Sequence, residues 1–302
     1  MDVVCNIDDN YTKFCGVMLT SLFENNRDED ITVHVLGRAL ASGTREVLTD
    51  LVERKYKGKI AFYHVENMAF PLPETNAHIS VATYYRLFMA SLLPESLHKV
   101  LYLDCDLLVV GSLKEYWNTD ITRYAVGVVE DMWAYDHDRG KRLGYPSEYS
   151  SFNAGVMLIN LDYWRAIEFE KKAVGFIEEK FDVISDADQD VLNGLFYNQK
   201  LFVPFRYNLQ DGFYRRKRHI RKETEEVLNN ELKHPVIIHF TNRRKPWKSD
   251  CIHPLKKEYF RYLDMTVWKG ERPAMSFRQA WKTVNYRLAA FLHLANGFRR
   301  IS

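Results

Sequence analysis

Two aspartates separated by one residue, Asp104 and Asp106, follow the apolar run Val100-Leu101-Tyr102-Leu103 and precede a second one, Leu107 to Val110. Unpaired carboxylates at a buried strand end are costly. Along an extended chain, positions i and i+2 face one side, so the two can share an ion. Oxygen ligands suit hard cations such as Mg²⁺ or Mn²⁺, which bridge protein carboxylates to substrate phosphates. The alternative is a solvated strand terminus that holds no ion. Neither GxGxxG nor GxxxxGK[ST] occurs, so neither glycine-rich loop is available to cradle a diphosphate, and its charge must be neutralised in another way.

Four further clusters could serve such a centre. Asp8-Asp9-Asn10-Tyr11 ends the first apolar run. Its Asp and Asn can read the edge of a nucleobase and its Tyr can stack on the face, although the same residues also make an Asx-capped turn. Ser151-Phe152-Asn153-Ala154-Gly155 places an amide and two small residues at a strand entry. There a ligand can approach the backbone and the amide can bond sugar hydroxyls; a strand entry with no ligand is the other reading. Asp188-Gln189-Asp190 opens a helical segment, where the first Asp also suits an N-cap. In His239-Phe240-Thr241-Asn242-Arg243-Arg244-Lys245-Pro246-Trp247, the imidazole could complete a metal site begun by carboxylates and Lys245 could offset phosphate charge. A histidine at a strand end is otherwise a hydrogen-bonded core residue.

The elements that must position these clusters are legible as apolar runs at Val3 to Ile7, Ile31 to Leu36, Ile60 to Val65, Val100 to Val110, Ala125 to Val129, Val156 to Leu161 and Val236 to Phe240, which predict strands. Helical spacing predicts helices over Phe14 to Phe23, over Val47 to Val52 after a Ser42 or Thr44 cap, over Phe169 to Phe181 and over Val191 to Tyr197. Strands alternating with helices predict an α/β fold, a mainly parallel sheet flanked by helices, with ligands beyond the carboxyl ends of its strands. The basic segment Arg215 to Arg221 (RRKRHIR) is expected to be a solvated loop.

The chain has 302 residues, 46% of them hydrophobic, enough for a sizeable core. Its net charge is only +2, yet every charged side chain after Glu271 is basic: Arg272, Arg278, Lys282, Arg287, Arg299 and Arg300. The first 271 residues are therefore net acidic, which disfavours a nucleic-acid partner. Gly270 and Pro273 mark a boundary between a domain at 1–268 and a tail at 269–302. In the tail, Phe277, Trp281, Val284, Leu288, Phe291, Leu292 and Ala295 keep helical spacing with cations interleaved. That pattern suits a helix lying on an anionic membrane surface, or alternatively a terminal helix docked on the domain. Cysteines at 5, 15, 105 and 251 lack zinc-type spacing, and reduced thiols are expected. No stretch resembles an export signal or approaches the ~20 apolar residues of a membrane span, so the chain is expected to remain inside the cell.

Taken in order, these clusters resemble glycosyltransferase family 8, especially its bacterial lipopolysaccharide galactosyl- and glucosyltransferases. The resemblance runs from Asp2 to Trp247 through Asp8-Asp9-Asn10-Tyr11, His78-Ile79-Ser80 with Thr83, Tyr84 and Arg86, Leu101 to Asp106, Phe152 to Gly155, Asp188-Gln189-Asp190 and Lys245-Pro246-Trp247. It implies a GT-A fold, a UDP-hexose donor carrying galactose or glucose, Mn²⁺ (or Mg²⁺), and retention of anomeric configuration. It further implies a saccharide acceptor, lipid-linked and of lipopolysaccharide type, and a peripheral position on the inner face of the cytoplasmic membrane. Residue by residue, Asp104, Asp106 and His239 match the metal ligands, and Asp8, Asn10 and Tyr11 the uridine site. Arg86, Asn153, Ala154, Asp188 and Gln189 match the donor-sugar site, and Lys245 the diphosphate site. Gln189 stands where a nucleophile is expected, with Asp188 and Asp190 as the carboxylates beside it. An amide is a poor nucleophile, which keeps a same-face displacement open beside a covalent intermediate. Asn242 replaces a glycine common in the family; Asn tolerates the left-handed conformation, but its side chain is expected to intrude near the diphosphate or the acceptor. Two other classes compete: a DxD-type phosphohydrolase, which places Thr or Val where Leu108 stands, and a non-catalytic nucleotide-sugar-binding protein.

Overall fold

A computed structural model describes residues 1–65, 81–134 and 138–299; the expected His78-Ile79-Ser80 cluster and Arg300 lie outside them. The strands are β1 (Asp2–Asn6), β2 (Thr32–Gly37), β3 (Lys59–His64), β4 (Lys99–Leu103), β5 (Leu107–Val109), β6 (Val126–Glu130), β7 (Phe152–Asn160), β8 (Lys200–Phe202), β9 (Leu209–Gln210) and β10 (Ile237–His239). Seven form one sheet in the order β3-β2-β1-β4-β7-β6-β8, and three form a smaller sheet in the order β5-β10-β9. In the large sheet only β7 runs against its neighbours. The expected mainly parallel α/β architecture is therefore present.

Alternation builds the two faces of the large sheet. Val3, Cys5, Ile7, Leu101 and Leu103 join one buried cluster with Met18, Leu19 and Leu22 of the Thr12–Glu24 helix. Val4, Val100, Tyr102, Met157 and Ile159 join another with Trp164, Phe169 and Phe196 on the opposite face. Both faces are covered by helices, as the apolar strands require. The small sheet packs Leu108 and Ile238 on Tyr259, Tyr262 and Leu263 of the Lys256–Leu263 helix.

Two expectations are corrected. The run Val100 to Val110 is not one strand, because the chain turns at Asp104 to Asp106 and passes from β4 in the large sheet to β5 in the small one. The carboxylates thus converge through a turn and not along an extended chain. The helix Ser42–Thr49 takes no cap from Ser42 or Thr44. Instead Asp9 reaches across to it, accepting from Ala41 N (3.0 Å) and Thr44 Oγ1 (2.7 Å).

Register brings the clusters to one edge. β1 and β4 are parallel, so Asp8 and Asp104 leave the sheet at the same end. Because β7 is antiparallel to β4, its start, Phe152 to Gly155, arrives where β4 finishes. In the small sheet His239 pairs with Leu107, which sets the imidazole beside Asp106.

The C-terminal part contains the helix Phe277–Phe291, opened by a reciprocal Ser276/Gln279 capping box. Beyond it the chain returns to the domain. Arg215, expected to be solvated, pairs with Asp211 (3.0 Å), stacks over the Phe298 ring (3.8 Å) and donates to Tyr286 Oη and Asn296 O.

Candidate active site

Ligand atoms of Asp104, Asp106 and His239 all lie within 4.8 Å of one another. His239 Nε2 is 3.0 Å from Asp106 Oδ1 and 3.8 Å from Asp104 Oδ2. On the far side of the ring, Nδ1–H donates to Asn208 Oδ1 (2.9 Å), which leaves Nε2 facing the carboxylates. Asn208 is in turn fixed by donating to Asn153 Oδ1 (2.9 Å). Gly155 closes this corner. A Cβ there would stand 2.3 Å from His239 Cε1 and 2.5 Å from Asp104 Oδ2, so only glycine admits both ligands. Cys105 is buried between the two carboxylates, with the Cys5 and Cys15 thiols close behind it.

Each carboxylate is also engaged by a cation. Asp104 Oδ1 lies 3.0 Å from Arg86 Nη2 and accepts from Tyr102 Oη (2.9 Å). Asp106 Oδ2 accepts from Lys245 Nζ (2.5 Å). Burial opposes ionisation of Asp106, but the Lys245 ammonium and the His239 ring outweigh it and hold the carboxyl far below its ordinary range.

Beside the metal corner, Arg86 is buried over the Tyr102 ring and donates to Ala154 O (2.9 Å). Burial works against its charge, yet Asp104 and Asp188 overcome that and raise its pKa. Its Nε is 3.0 Å from Asp188 Oδ2, but the N–H is aimed at Thr83 O (3.2 Å). Asp188 Oδ2 is therefore buried with no hydrogen-bond donor. Consistent with that, burial pushes the Asp188 carboxyl up to about 7 despite the opposing Arg86. Gln189 Oε1 accepts from Asn153 Nδ2 (3.1 Å) and Ala154 N (3.0 Å), and its amide donates to Asp131 Oδ2 (3.3 Å). Asp190 is fully buried and points elsewhere. Its carboxylate accepts from Arg142 twice (2.6 and 3.1 Å) and from the backbone of Ser185 and Asp186. Burial raises its pKa, but these donors prevail and lower it.

At the third corner Asp8 Oδ1 accepts from Asn10 N (2.9 Å) and Tyr11 N (3.2 Å), so the Asx-capped turn is present and it presents Asn10 and Tyr11 at the surface. The Tyr11 hydroxyl is raised to about 12, by burial first and then by the negative charge of Asp106. Phe14 stacks on Trp247 at 3.9 Å and so joins this turn to the Lys245 loop.

The outer side is lined by Trp133, 46% exposed, whose amide donates to Asp131 Oδ1 (2.8 Å) and whose ring meets His219 at 4.3 Å. Asn242 does not adopt the left-handed conformation. Its Oδ1 turns back to accept from Arg244 N (3.1 Å). The structure thus gathers Asp8, Tyr11, Arg86, Asp104, Asp106, Asn153, Ala154, Asp188, Gln189, His239 and Lys245 at one edge of the sheets, with Asp190 turned away behind them. Sequence reading gave no role to Tyr102, Asn208 and Asp131, which orient Asp104, His239 and Gln189. Only Tyr102, inside the apolar run that ends at Asp104, carried a signal.

A family model described as Glycosyl transferase family 8 matches residues 2–251. General stress protein A of Bacillus subtilis is 31% identical over 89% of this chain and 94% of its own length. The lipopolysaccharide 1,2-glucosyltransferase of Escherichia coli K12 is 27% identical over 90% of this chain and 80% of its own. The crystal structure of the galactosyltransferase LgtC with donor and acceptor sugar analogues superposes with a TM-score of 0.80 at 28% identity, covering 93% of this chain and 100% of LgtC. The sheet order described above is thus that of a GT-A fold, and the chain is a glycosyltransferase. The chain belongs to glycosyltransferase family 8.

Proposed function

We propose that the chain transfers a hexosyl unit, galactose or glucose, from a UDP-sugar to a saccharide acceptor of lipopolysaccharide type, with retention at the anomeric carbon. The observation that carries this reading is the convergence of Asp104, Asp106 and His239 next to the Lys245 ammonium, with the buried acceptor atom Asp188 Oδ2 beside them. Lipopolysaccharide glucosyl- and galactosyltransferases among the relatives support the acceptor class.

Two carboxylates and an imidazole, with Gly155 clearing space for both ligand types, fit a borderline-hard divalent ion, and Mn²⁺ suits the mixed oxygen and nitrogen set better than Mg²⁺. When bound, that ion neutralises the diphosphate and stabilises UDP as it leaves. Lys245 exchanges its bond to Asp106 for one to a phosphate oxygen. Asp8, Asn10 and Tyr11 receive the uridine. Asp188 Oδ2 accepts a sugar hydroxyl, completing the buried atom that Arg86 leaves without a donor. Gln189 has both ends of its amide tied, which favours displacement on one face over attack by its oxygen. In that step the bond from the anomeric carbon to phosphate breaks, the bond to the acceptor oxygen forms on the same face, and the acceptor proton passes to the departing phosphate. Asp190 shapes the helix start and touches no reactant.

The Phe277–Phe291 helix leaves Phe277 (87%), Trp281 (61%) and Phe291 (74%) exposed beside Arg278, Lys282 and Arg287. Among the described residues no helix is long and apolar enough to cross a membrane. The exposed face supports a surface attachment on the anionic inner leaflet, within reach of lipid-linked acceptors.

Release of UDP across a panel of UDP-sugars, with and without glycan acceptors and Mn²⁺, tests the reading. Metal-dependent release that rises with acceptor supports it. Phosphate release from a monoester would instead favour a phosphohydrolase, and donor binding without turnover a binding protein.

A further inference from the structure

We propose that Cys5, Cys15 and Cys105 form a second metal site, for a thiophilic divalent cation of the Zn²⁺ or Cd²⁺ class, and that an ion bound there lowers turnover by drawing back the turn that carries Asp104 and Asp106. The binding stands on the thiols alone; the effect on turnover rests on the transferase reading above.

Three of the chain's four cysteines meet at this point, from β1, from the Thr12–Glu24 helix and from the turn between β4 and β5. All three are buried, and their sulfurs lie within 4.8 Å of one another. Cys5 and Cys15 present theirs 3.8 Å apart. Thiolates about 2.3 Å from a shared tetrahedral ion stand about 3.8 Å apart, so that edge already has ligand length. Cysteine also fills core space as a small apolar residue. Filling space does not account for three separate elements each bringing a sulfur to the same spot. The donor set here is all sulfur, whereas the corner at Asp104, Asp106 and His239 is oxygen and nitrogen. Soft thiolates select Zn²⁺-like ions and the harder set suits Mn²⁺, so the two sites sort ions by chemistry.

The trio backs directly onto the candidate active site. Cys105 stands between Asp104 and Asp106 in the chain, Cys5 is three residues before Asp8, and Cys15 is four residues after Tyr11. Asn6, next to Cys5, shares the Tyr102 hydroxyl with Asp104, and its carbonyl oxygen lies 3.9 Å from Cys105 Sγ. The thiols are therefore joined to the carboxylates both along the chain and through a hydrogen-bonded side chain. An ion that shortens sulfur–sulfur edges of up to 4.8 Å toward 3.8 Å moves Cys105 by about 1 Å at most. A misplacement of that order at a reacting centre costs about 100-fold in rate.

The test titrates the reduced full-length protein with Cd²⁺ in excess Mn²⁺ and reads the ultraviolet sulfur-to-cadmium charge-transfer band. One Cd²⁺ per chain is expected, with affinity falling about 100-fold in Cys15→Ala and in Cys5→Ala and unchanged in Cys251→Ala. Two separate variants cover the case in which one does not fold, which circular dichroism reports. At saturating Mn²⁺, one equivalent of Cd²⁺ should lower kcat for UDP release roughly tenfold or more in the wild type and leave Cys15→Ala unaffected. The excess of Mn²⁺ removes simple competition at the carboxylates, and chelation followed by fresh Mn²⁺ should restore the rate. Paramagnetic-resonance titration of Mn²⁺ reads the same coupling without turnover: its affinity should weaken in the cadmium-loaded wild type and not in Cys15→Ala. No charge-transfer band, or a band that survives both variants, overturns the site. A band with unchanged kcat and unchanged Mn²⁺ affinity overturns its pull on the turn. No UDP release from any donor overturns the transferase reading, while the band and the Mn²⁺ titration still decide this one.

Discussion

The site at Asp104, Asp106 and His239 and the basic loops around Arg215 to Arg221 and Arg243 place charge in opposite ways. On this floor, Asp104 faces Arg86 and Asp106 faces Lys245 and His239, with geometry fixed by strand register and by Gly155. On the loops, Arg215 pairs with Asp211 and Arg244 approaches Asp250, while among the described residues Arg221 and Arg243 have no carboxylate within 4.0 Å. A buried, paired charge can be replaced only by a ligand of matching charge in the same place, so changes at the floor should be steep and insensitive to salt. An exposed charge is screened by solvent, so changes on the loops should be small and salt-dependent.

Asp106→Asn is the strongest way to sharpen the contrast. It should cut Mn²⁺-dependent UDP release roughly a thousandfold, about 4 kcal/mol of transition-state stabilisation, with the circular-dichroism spectrum preserved. A loss under tenfold in initial-rate assays would break the assignment of the floor. Next is Asn208→Ala, which removes the acceptor of His239 Nδ1–H. Mn²⁺ affinity should weaken roughly 10- to 100-fold, with rate recovering at high Mn²⁺; an unchanged titration would show that the ring needs no such support.

A third prediction concerns pH. Asp188 is raised from 3.8 to about 7 in the folded chain, so between those values the folded state holds a proton that the unfolded state has released. Its contribution to stability is greatest below pH 4 and is lost as pH rises through 7. The melting temperature of the metal-free protein relative to Asp188→Asn should therefore fall across that window, and a flat difference would remove the case for a buried, donor-less carboxylate. The smallest effect is expected from deleting residues 275–302. Vesicle binding should be lost, and stability should fall by about 1 kcal/mol as Arg215 is left with Asp211 alone. An unaltered melting temperature would show that the return segment is only loosely held.

Much of the floor was legible in the sequence because its residues are tied to strand ends, where an apolar run stops and a polar triplet begins. Asp8 and Asp104 obey that rule, while Asn153 marks a strand entry and His239 a strand end. Asn208 and Asp131 do not, since each acts on a residue far away in the chain and nothing in its own neighbourhood marks it. The turn at Asp104 to Asp106 was read as part of one long strand for the complementary reason: nine of its eleven residues suit a strand, and only membership of a second sheet divides them. Arg215 escaped as well, because a basic run looks solvated until its acidic and aromatic partners are brought to it.

The turn between β4 and β5 has a mechanical consequence. Asp104 follows β4 of the large sheet, whereas Asp106 precedes β5 and His239 ends β10 of the small one, so the three ligands sit where the two sheets meet over a shared core. The small sheet also carries Gln210, and beyond it Asp211, whose amide donates to Thr241 Oγ1 (3.2 Å) and whose carboxylate holds Arg215. The outer residues Thr241 and Arg215 are thus tied to the same small sheet that orients His239, so a substitution there acts on the support of one ligand without replacing it.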